Sequence, residues 1–471
     1  MIKISKADII WNYIAQFFSL TSGLITLPLI LKMLTVEEIA LNYIFLTISS
    51  LVLLFDFGFS PQFSRNVSYV YGGAQSLKKE GIEERSLIGG IDINYRLIAT
   101  LVKVGQYVYL RLALFVLFVM LTIGTLYIYN VTEGFHLVPH TLLIWTLFSV
   151  STAFAIYYEY YNFLLTGKGA IKETKIALLI SRIIYIILTF LFLYIGWGLL
   201  GVVLANFIAP FVNRILCYQF LFTEEFRNKL KSYHISKEEI NTTFNTIWYN
   251  AKKLGLVFVG AYAITKFSMF LAGLYLSKAE VASYGLMIQL VGVISAVATT
   301  FFSTFQPKFA SLRVENNTQE FTKLLAFSMN IFLIIFVIGA IILFFFNGIL
   351  LKFINSNVFL PDNITLLCYI LVILLESNHS NFATIIITKN SIPFVKPAIL
   401  SGICIAIGSF IVLKYNLGGI LSLVIVQGLC QAAYNNWKWP LVVLREFHLS
   451  GKLFIKIGIQ ESLSKIKKLT K

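Results

Sequence analysis

The sequence predicts an all-α integral membrane protein of about twelve transmembrane helices arranged as two six-helix repeats. Three observations carry that reading. Hydrophobic residues fill 58% of the 471 positions and charged residues only 13%, with a mean hydropathy of +0.81. A soluble chain carries about a quarter charged residues. Apolar runs of about 20 residues, enough for a helix to cross ~30 Å of hydrocarbon, recur along the whole length. Several short motifs return in the same order after roughly 220 to 246 residues.

Taken in order, the spans fall near 8–31, 39–62, 104–129, 139–166, 173–196 and 198–222, then 248–276, 281–305, 322–346, 363–388, 394–414 and 418–441. The first run lacks a short apolar core followed by a small-residue cleavage site, so it reads as a span and not as a cleaved signal. Residues 63–103 form a long polar connection after span two. Its end, from Asp92 to Lys103, mixes apolar and charged positions as an interfacial helix running into span three would. Residues 223–247 are charged and separate the halves. The predicted organisation is a six-helix lobe over 1–222, a cytoplasmic linker over 223–247, a second six-helix lobe over 248–441 and a basic cytoplasmic tail over 442–471. In the tail, Leu453, Phe454, Ile457, Leu463 and Ile466 alternate with lysines. That pattern suits a basic amphipathic helix on the inner membrane surface as well as a solvated tail.

The net charge of +16 is a topology signal rather than a nucleic-acid signal. Thirty of the 38 Lys and Arg fall at the N-terminus, in alternate loops and at the C-terminal end, against four in the opposite loops. This bias places both termini in the cytoplasm of a cell with the protein in its inner membrane. Attraction to anionic membrane lipids is a secondary consequence. All four cysteines lie within predicted spans, so no disulfide framework is expected.

The repeat rests on four pairs of segments. Leu34-Thr-Val-Glu-Glu38-Ile-Ala40 resembles Leu276-Ser-Lys-Ala-Glu280-Val-Ala282. Pro61-Gln-Phe63-Ser-Arg65 resembles Pro307-Lys-Phe309, with Arg313 following. Asn162-Phe163 ahead of Thr166-Gly-Lys168 resembles Asn381-Phe382 ahead of Thr388-Lys389. The turn Gly196-Trp-Gly198 corresponds to Gly418-Gly419. An even number of spans per half gives both halves the same orientation, the arrangement of transporters with a substrate cavity between repeats.

Ionisable groups inside spans need an explanation, because each costs about 2.5–3.5 kcal/mol at the bilayer centre on insertion scales. Lys266 is mid-span in helix seven. Glu376 is mid-span in helix ten and opens the run Glu376-Ser-Asn378-His379-Ser-Asn381. Six successive polar residues cover every face of a helix, so part of that turn must meet water or protein. Tyr157-Tyr-Glu159-Tyr-Tyr161-Asn162 stands at nearly the matching place in the first repeat. Lys266 and Glu376 have a plainer role as structural partners of each other, and His379 as a packing histidine. Arg111, Arg182 and Arg214 have one as snorkelling cations, Asp56 as a local helix cap near Gly58, and the tyrosines as an interfacial belt. Phosphate-binding glycine loops, metal-ligand clusters and nucleophile elbows are absent, and the predicted external loops are short. No cofactor or metal is expected, and transport suits the chain better than catalysis.

Asp56-Phe-Gly58-Phe-Ser-Pro61-Gln-Phe-Ser-Arg65-Asn66 after helix two, and Tyr161-Asn-Phe-Leu-Leu-Thr-Gly167-Lys168 at the end of helix four, resemble the corresponding segments of bacterial O-unit flippases. That family belongs to the multidrug/oligosaccharidyl-lipid/polysaccharide exporter superfamily. The resemblance implies a MATE-like fold of two six-helix bundles around a V-shaped cavity. It also implies an undecaprenyl-diphosphate-linked glycan as cargo, moved from the cytoplasmic to the periplasmic leaflet, and a polysaccharide polymerase complex as a further partner. On that footing Lys266, Arg182, Arg214 and Arg111 are candidates for the diphosphate. Tyr161, Asn162, Asn378 and Asn381 are candidates for the sugar path. Our own inference assigns ion coupling to Glu376, His379, Glu159 and Asp56. The alternatives are a small-molecule/cation antiporter of the same fold and, further off, a glycan polymerase or ligase.

Overall fold

The computed structural model describes residues 25–71, 73–79, 93–306, 317–388 and 393–469, with Phe18, Gly23, Phe309 and Leu312 besides. Most of the first predicted span lies outside these residues, as do Pro307, Lys308, Arg313 and Lys389 of the repeat motifs. Every regular element among the described residues is helical. The chain divides into two compact units, Met1–Val259 and Gly260–Lys471.

In the first unit, α1 (Val36–Val52) continues as a 3-10 turn through Asp56, and α2 (Phe59–Tyr71) follows. α3 (Tyr95–Val131) runs 37 residues with a π-helical turn at Met120–Gly124. The interfacial segment expected at 92–103 is therefore, from Tyr95 on, the start of α3 itself. α4 (Thr141–Tyr157) and α5 (Glu159–Lys168) share one span, and α6 (Ile171–Tyr194), α7 (Gly198–Leu221) and the short α8 (Glu224–Lys231) complete the set. α9 (Lys237–Thr265) leads into the second unit. There α10 (Phe267–Tyr275) and α11 (Lys278–Thr304) are followed by α12 (Thr318–Phe353), α13 (Asn363–Ile387) and α14 (Val395–Lys414). The unit ends in α15 (Gly419–Ala432), α16 (Asn435–Glu446) and α17 (Gly451–Leu469).

Nine described helices are long and apolar enough to cross a membrane, and ten if α9 and α10, bent by 43° at Lys266, form one span. The last predicted span, 418–441, is split at Ala433–Tyr434 into two shorter helices. Outward positions on these helices are apolar: Leu114, Phe118 and Leu126 of α3 are 59–66% exposed, and Phe345 of α12 is 69% exposed. Apolar surface on that scale along whole helices is what lipid covers. The chain is a multi-pass membrane protein.

The same junction holds each unit. Thr35 caps α1 in a capping box: the Glu38 amide donates to the Thr35 hydroxyl (3.3 Å), and the Thr35 amide donates to the Glu38 carboxylate (3.0 Å). The other Glu38 oxygen accepts from the Leu199 amide at 2.8 Å, capping α7 as well. Gly196 and Gly198 make the turn before α7 at φ +89° and +52°, which side-chain-bearing residues rarely adopt. In the second unit Ser277 and Glu280 form the matching capping box at α11. There the Glu280 carboxylate lies against Gly419, with Gly418 and Gly419 at φ +94° and +56°. Glu38 thus bonds two helix starts together, and Glu280 caps one while lying against the other.

Candidate functional sites

Each unit gathers polar groups where a span is broken. In the first, α1 ends at Phe57 (φ +48°) and Gly58 (φ +75°). Asp56 accepts from the Ser60 amide (3.1 and 3.3 Å) and so caps α2; the Tyr109 hydroxyl of α3 donates to the same carboxylate. The second break, at Tyr158, separates α4 from α5. Arg214 of α7 donates from Nη2 to the Ala155 carbonyl (3.3 Å), one of the acceptors freed in the last turn of α4. The same nitrogen donates to Glu159 Oε2 at 2.9 Å. Asn162, one turn on, donates to both Glu159 oxygens at 3.0 and 3.1 Å. The Nε and Nη1 donors of Arg214 are buried with no partner.

These groups border one cavity of about 430 Å³, lined by Asp56, Ser60, Tyr109, Glu159, Asn206 and Arg214 among apolar neighbours that include Phe148 and Pro210. It contains hydrogen-bonding capacity of both signs within a largely apolar wall, the make-up of a small-molecule site. Three sequence candidates (Asp56, Glu159, Arg214) line it, and Asn162 supports Glu159 from behind. Arg111 is exposed, its guanidinium stacked 3.3 Å from the centre of the Tyr107 ring. Arg182 is half-buried on α6 and does not line the cavity. Tyr161 is buried in the packed core with Tyr158, Tyr160, Tyr218 and Phe222 around its ring.

In the second unit, Lys266 is itself the break between α9 and α10 (φ −128°, ψ −25°) and is half-buried. On α13, Glu376 accepts from Gln427 Nε2 at 2.9 Å, and the Ser377 hydroxyl bonds that of Ser295 at 2.6 Å. His379 Nδ1 lies 2.9 Å from the Asn436 side-chain oxygen. Asn381 is 2% exposed with its amide nitrogen unpartnered, while Asn378 is half-buried. Among the described residues Lys266 and Glu376 make no ion pair within 4.0 Å. Beside them, Asn435 donates to Ser401 (3.0 Å) and Gln431 (2.9 Å) and accepts from the Trp439 indole (3.1 Å). Sequence reasoning missed this part. Gln427, Gln431 and Asn435 recur every four residues in an apolar span, a polar stripe that helical periodicity would have picked out. Tyr109 carried no such signal. Among the described residues no cluster of three or more His, Cys, Asp or Glu is placed to hold a metal ion.

Solved structures share this architecture nearly end to end. An inward-facing multidrug resistance MATE family transporter of the MOP superfamily covers 91% of the chain and is itself 95% covered, at TM-score 0.64 and 12% identity. The lipid II flippase MurJ in an inward closed conformation covers 98% and is 91% covered, at TM-score 0.65 and 14% identity. The fold is MATE-like. An outward-facing MATE family transporter gives TM-score 0.60 at 12% identity, with 94% and 96% coverage. No protein-family model and no curated protein matches the chain.

Proposed function

We propose that the protein is a transporter, not an enzyme. In this reading it flips an undecaprenyl-diphosphate-linked oligosaccharide from the cytoplasmic to the periplasmic leaflet of the inner membrane by alternating access, with both termini in the cytoplasm. The observation that carries this reading is Arg214. Two guanidinium nitrogens, Nε and Nη1, left buried and unpartnered inside a membrane span call for acceptors, and phosphoryl oxygens supply anionic ones. Lys266 supplies a second cation, held at a helix break. The likeness to a lipid II flippase adds a precedent for lipid-linked cargo on this fold. Asn162, Asn378 and Asn381 serve the sugar path, and Asp56, Glu159, Glu376 and His379 couple transport to an ion gradient. A polymerase complex receives the flipped unit.

A second reading has its own observation. The cavity of the first unit holds two carboxylates against one guanidinium, which suits a cation, and MATE family transporters share the fold. Complementation separates the two. In a strain lacking its O-unit flippase, the wild-type gene should restore surface glycan and give no resistance to toxic cations. Arg214→Ala and Lys266→Ala should each cut restoration at least tenfold at equal protein level. Full restoration by both variants removes the diphosphate role, and resistance without glycan makes the protein an antiporter.

A further inference from the structure

The C-terminal helix α17 uses one face to hold the protein and leaves a second apolar face uncovered. On the packed face Phe454 is buried against Phe382 of α13, ring centres 5.9 Å apart. Gly458 meets α12 so closely that a Cβ there would stand 2.7 Å from the Ala326 carbonyl oxygen. One turn on, Asn330 of α12 donates to the Ser462 hydroxyl at 2.9 Å. The two contacts are four residues apart on both helices, so α17 runs beside α12 in the same direction. On the adjoining flank, about 100° round the helix, Ile455, Ile459 and Leu463 are 59%, 46% and 55% exposed. Their spacing of four puts them in one stripe. Lys452 and Lys456, both exposed, precede its members by three or seven residues and so border it.

We propose that this face is a docking surface for anionic lipid, with the aliphatic stripe at the acyl boundary and the lysines on the headgroups. Two features select lipid as the occupant. α12 continues past the contact into an outward face of Ile334, Val337, Ile338 and Ile341, 44–53% exposed, which lipid covers as α12 crosses the membrane. A helix running alongside meets that same boundary. The charge selects the headgroup: from Lys452 to Lys471 the chain holds six lysines against one acid, Glu461. An apolar stripe bordered by lysines is the make-up of a helix surface that meets acyl chains and anionic headgroups together.

The test is hydrogen exchange of the α17 amides in the full-length protein, one copy per nanodisc, in phosphatidylcholine alone and in phosphatidylcholine with a quarter phosphatidylglycerol. Protection should rise about tenfold or more with the anionic lipid, since each lysine near such a surface contributes about fivefold. Lys452→Gln/Lys456→Gln should abolish most of that rise while leaving protection in α12 and α13 unchanged. Equal protection of wild-type α17 in both lipids overturns the proposal. So does a rise that survives in the double variant. Protection that appears only when discs hold two copies assigns the face to a second chain and also overturns it.

Discussion

The Glu159–Arg214 pair shows how a charge is kept inside a membrane span. Arg214 is 14% exposed at its side chain and Glu159 32%, so neither is fully hydrated, and each needs the other. The carboxylate is further held by Asn162. Removing one partner leaves the other with lost hydrogen bonds at about 1–3 kcal/mol, whereas removing both leaves no orphan charge. Arg214→Leu should therefore lower the thermal midpoint in detergent more than Arg214→Leu/Glu159→Leu does. With Glu159→Leu completing the cycle, a double-variant loss equal to the sum of the two single losses would show that the pair contributes no coupling. Charged residues inside spans announce themselves in the sequence, because the composition around them is so apolar. Their partners do not. Tyr109 lies fifty-three positions from Asp56 and Gln427 fifty-one from Glu376, and only the packing of separate helices joins them.

Helix starts were far more legible than helix breaks. Thr35-Val-Glu-Glu38 and Ser277-Lys-Ala-Glu280 carry the residue types of a capping box, and the structure builds one at each. Tertiary structure then gives Glu38 a second task, capping α7 through the Leu199 amide. Glu38→Ala should thus cost about 1–2 kcal/mol, more than an isolated cap, and Glu280→Ala about 1 kcal/mol or more. Thermal unfolding in detergent would measure both. Equal stability of Glu38→Ala and wild type would mean that the α7 contact is idle. The breaks at Tyr158, Lys266 and Tyr434 fall at residues that do not stop helices, while Pro210 and Pro440 sit inside α7 and α16; only the break at Phe57, beside Gly58 and the cap residue Asp56, was legible. A break is tolerated where something else takes the freed groups, as Arg214 takes the Ala155 carbonyl and Asp56 the Ser60 amide. Local sequence encodes that condition for Asp56, four residues from Ser60, but not for Arg214, which is 59 positions from Ala155.

At the scale of the whole molecule, hydropathy made the membrane architecture legible, since it is a sum over many residues and tolerates local surprises. The connection between span six and span seven is held by finer means. Arg96, in the first turn of α3, donates to Glu239 of α9 at 2.8 Å, ahead of the apolar part of each helix. The Ser236 amide donates to the other carboxylate oxygen at 2.8 Å, and its hydroxyl accepts from the Glu239 amide at 3.2 Å. Led by the bond from Ser236, these donors pull the Glu239 carboxyl down to about 2 from its ordinary 4.5. A carboxyl whose folded-state value is depressed adds stability that is complete above its unfolded value and is lost as pH falls through the folded one. The thermal midpoint of wild type should therefore exceed that of Glu239→Gln by a constant margin above about pH 5. The margin should shrink between pH 4.5 and 2 and vanish below, where protonation makes the wild-type side chain as neutral as the glutamine. High salt should also narrow the margin, because Arg96 and Glu239 both face solvent. A margin independent of pH would assign the effect of Glu239→Gln to side-chain shape and detach this contact from charge.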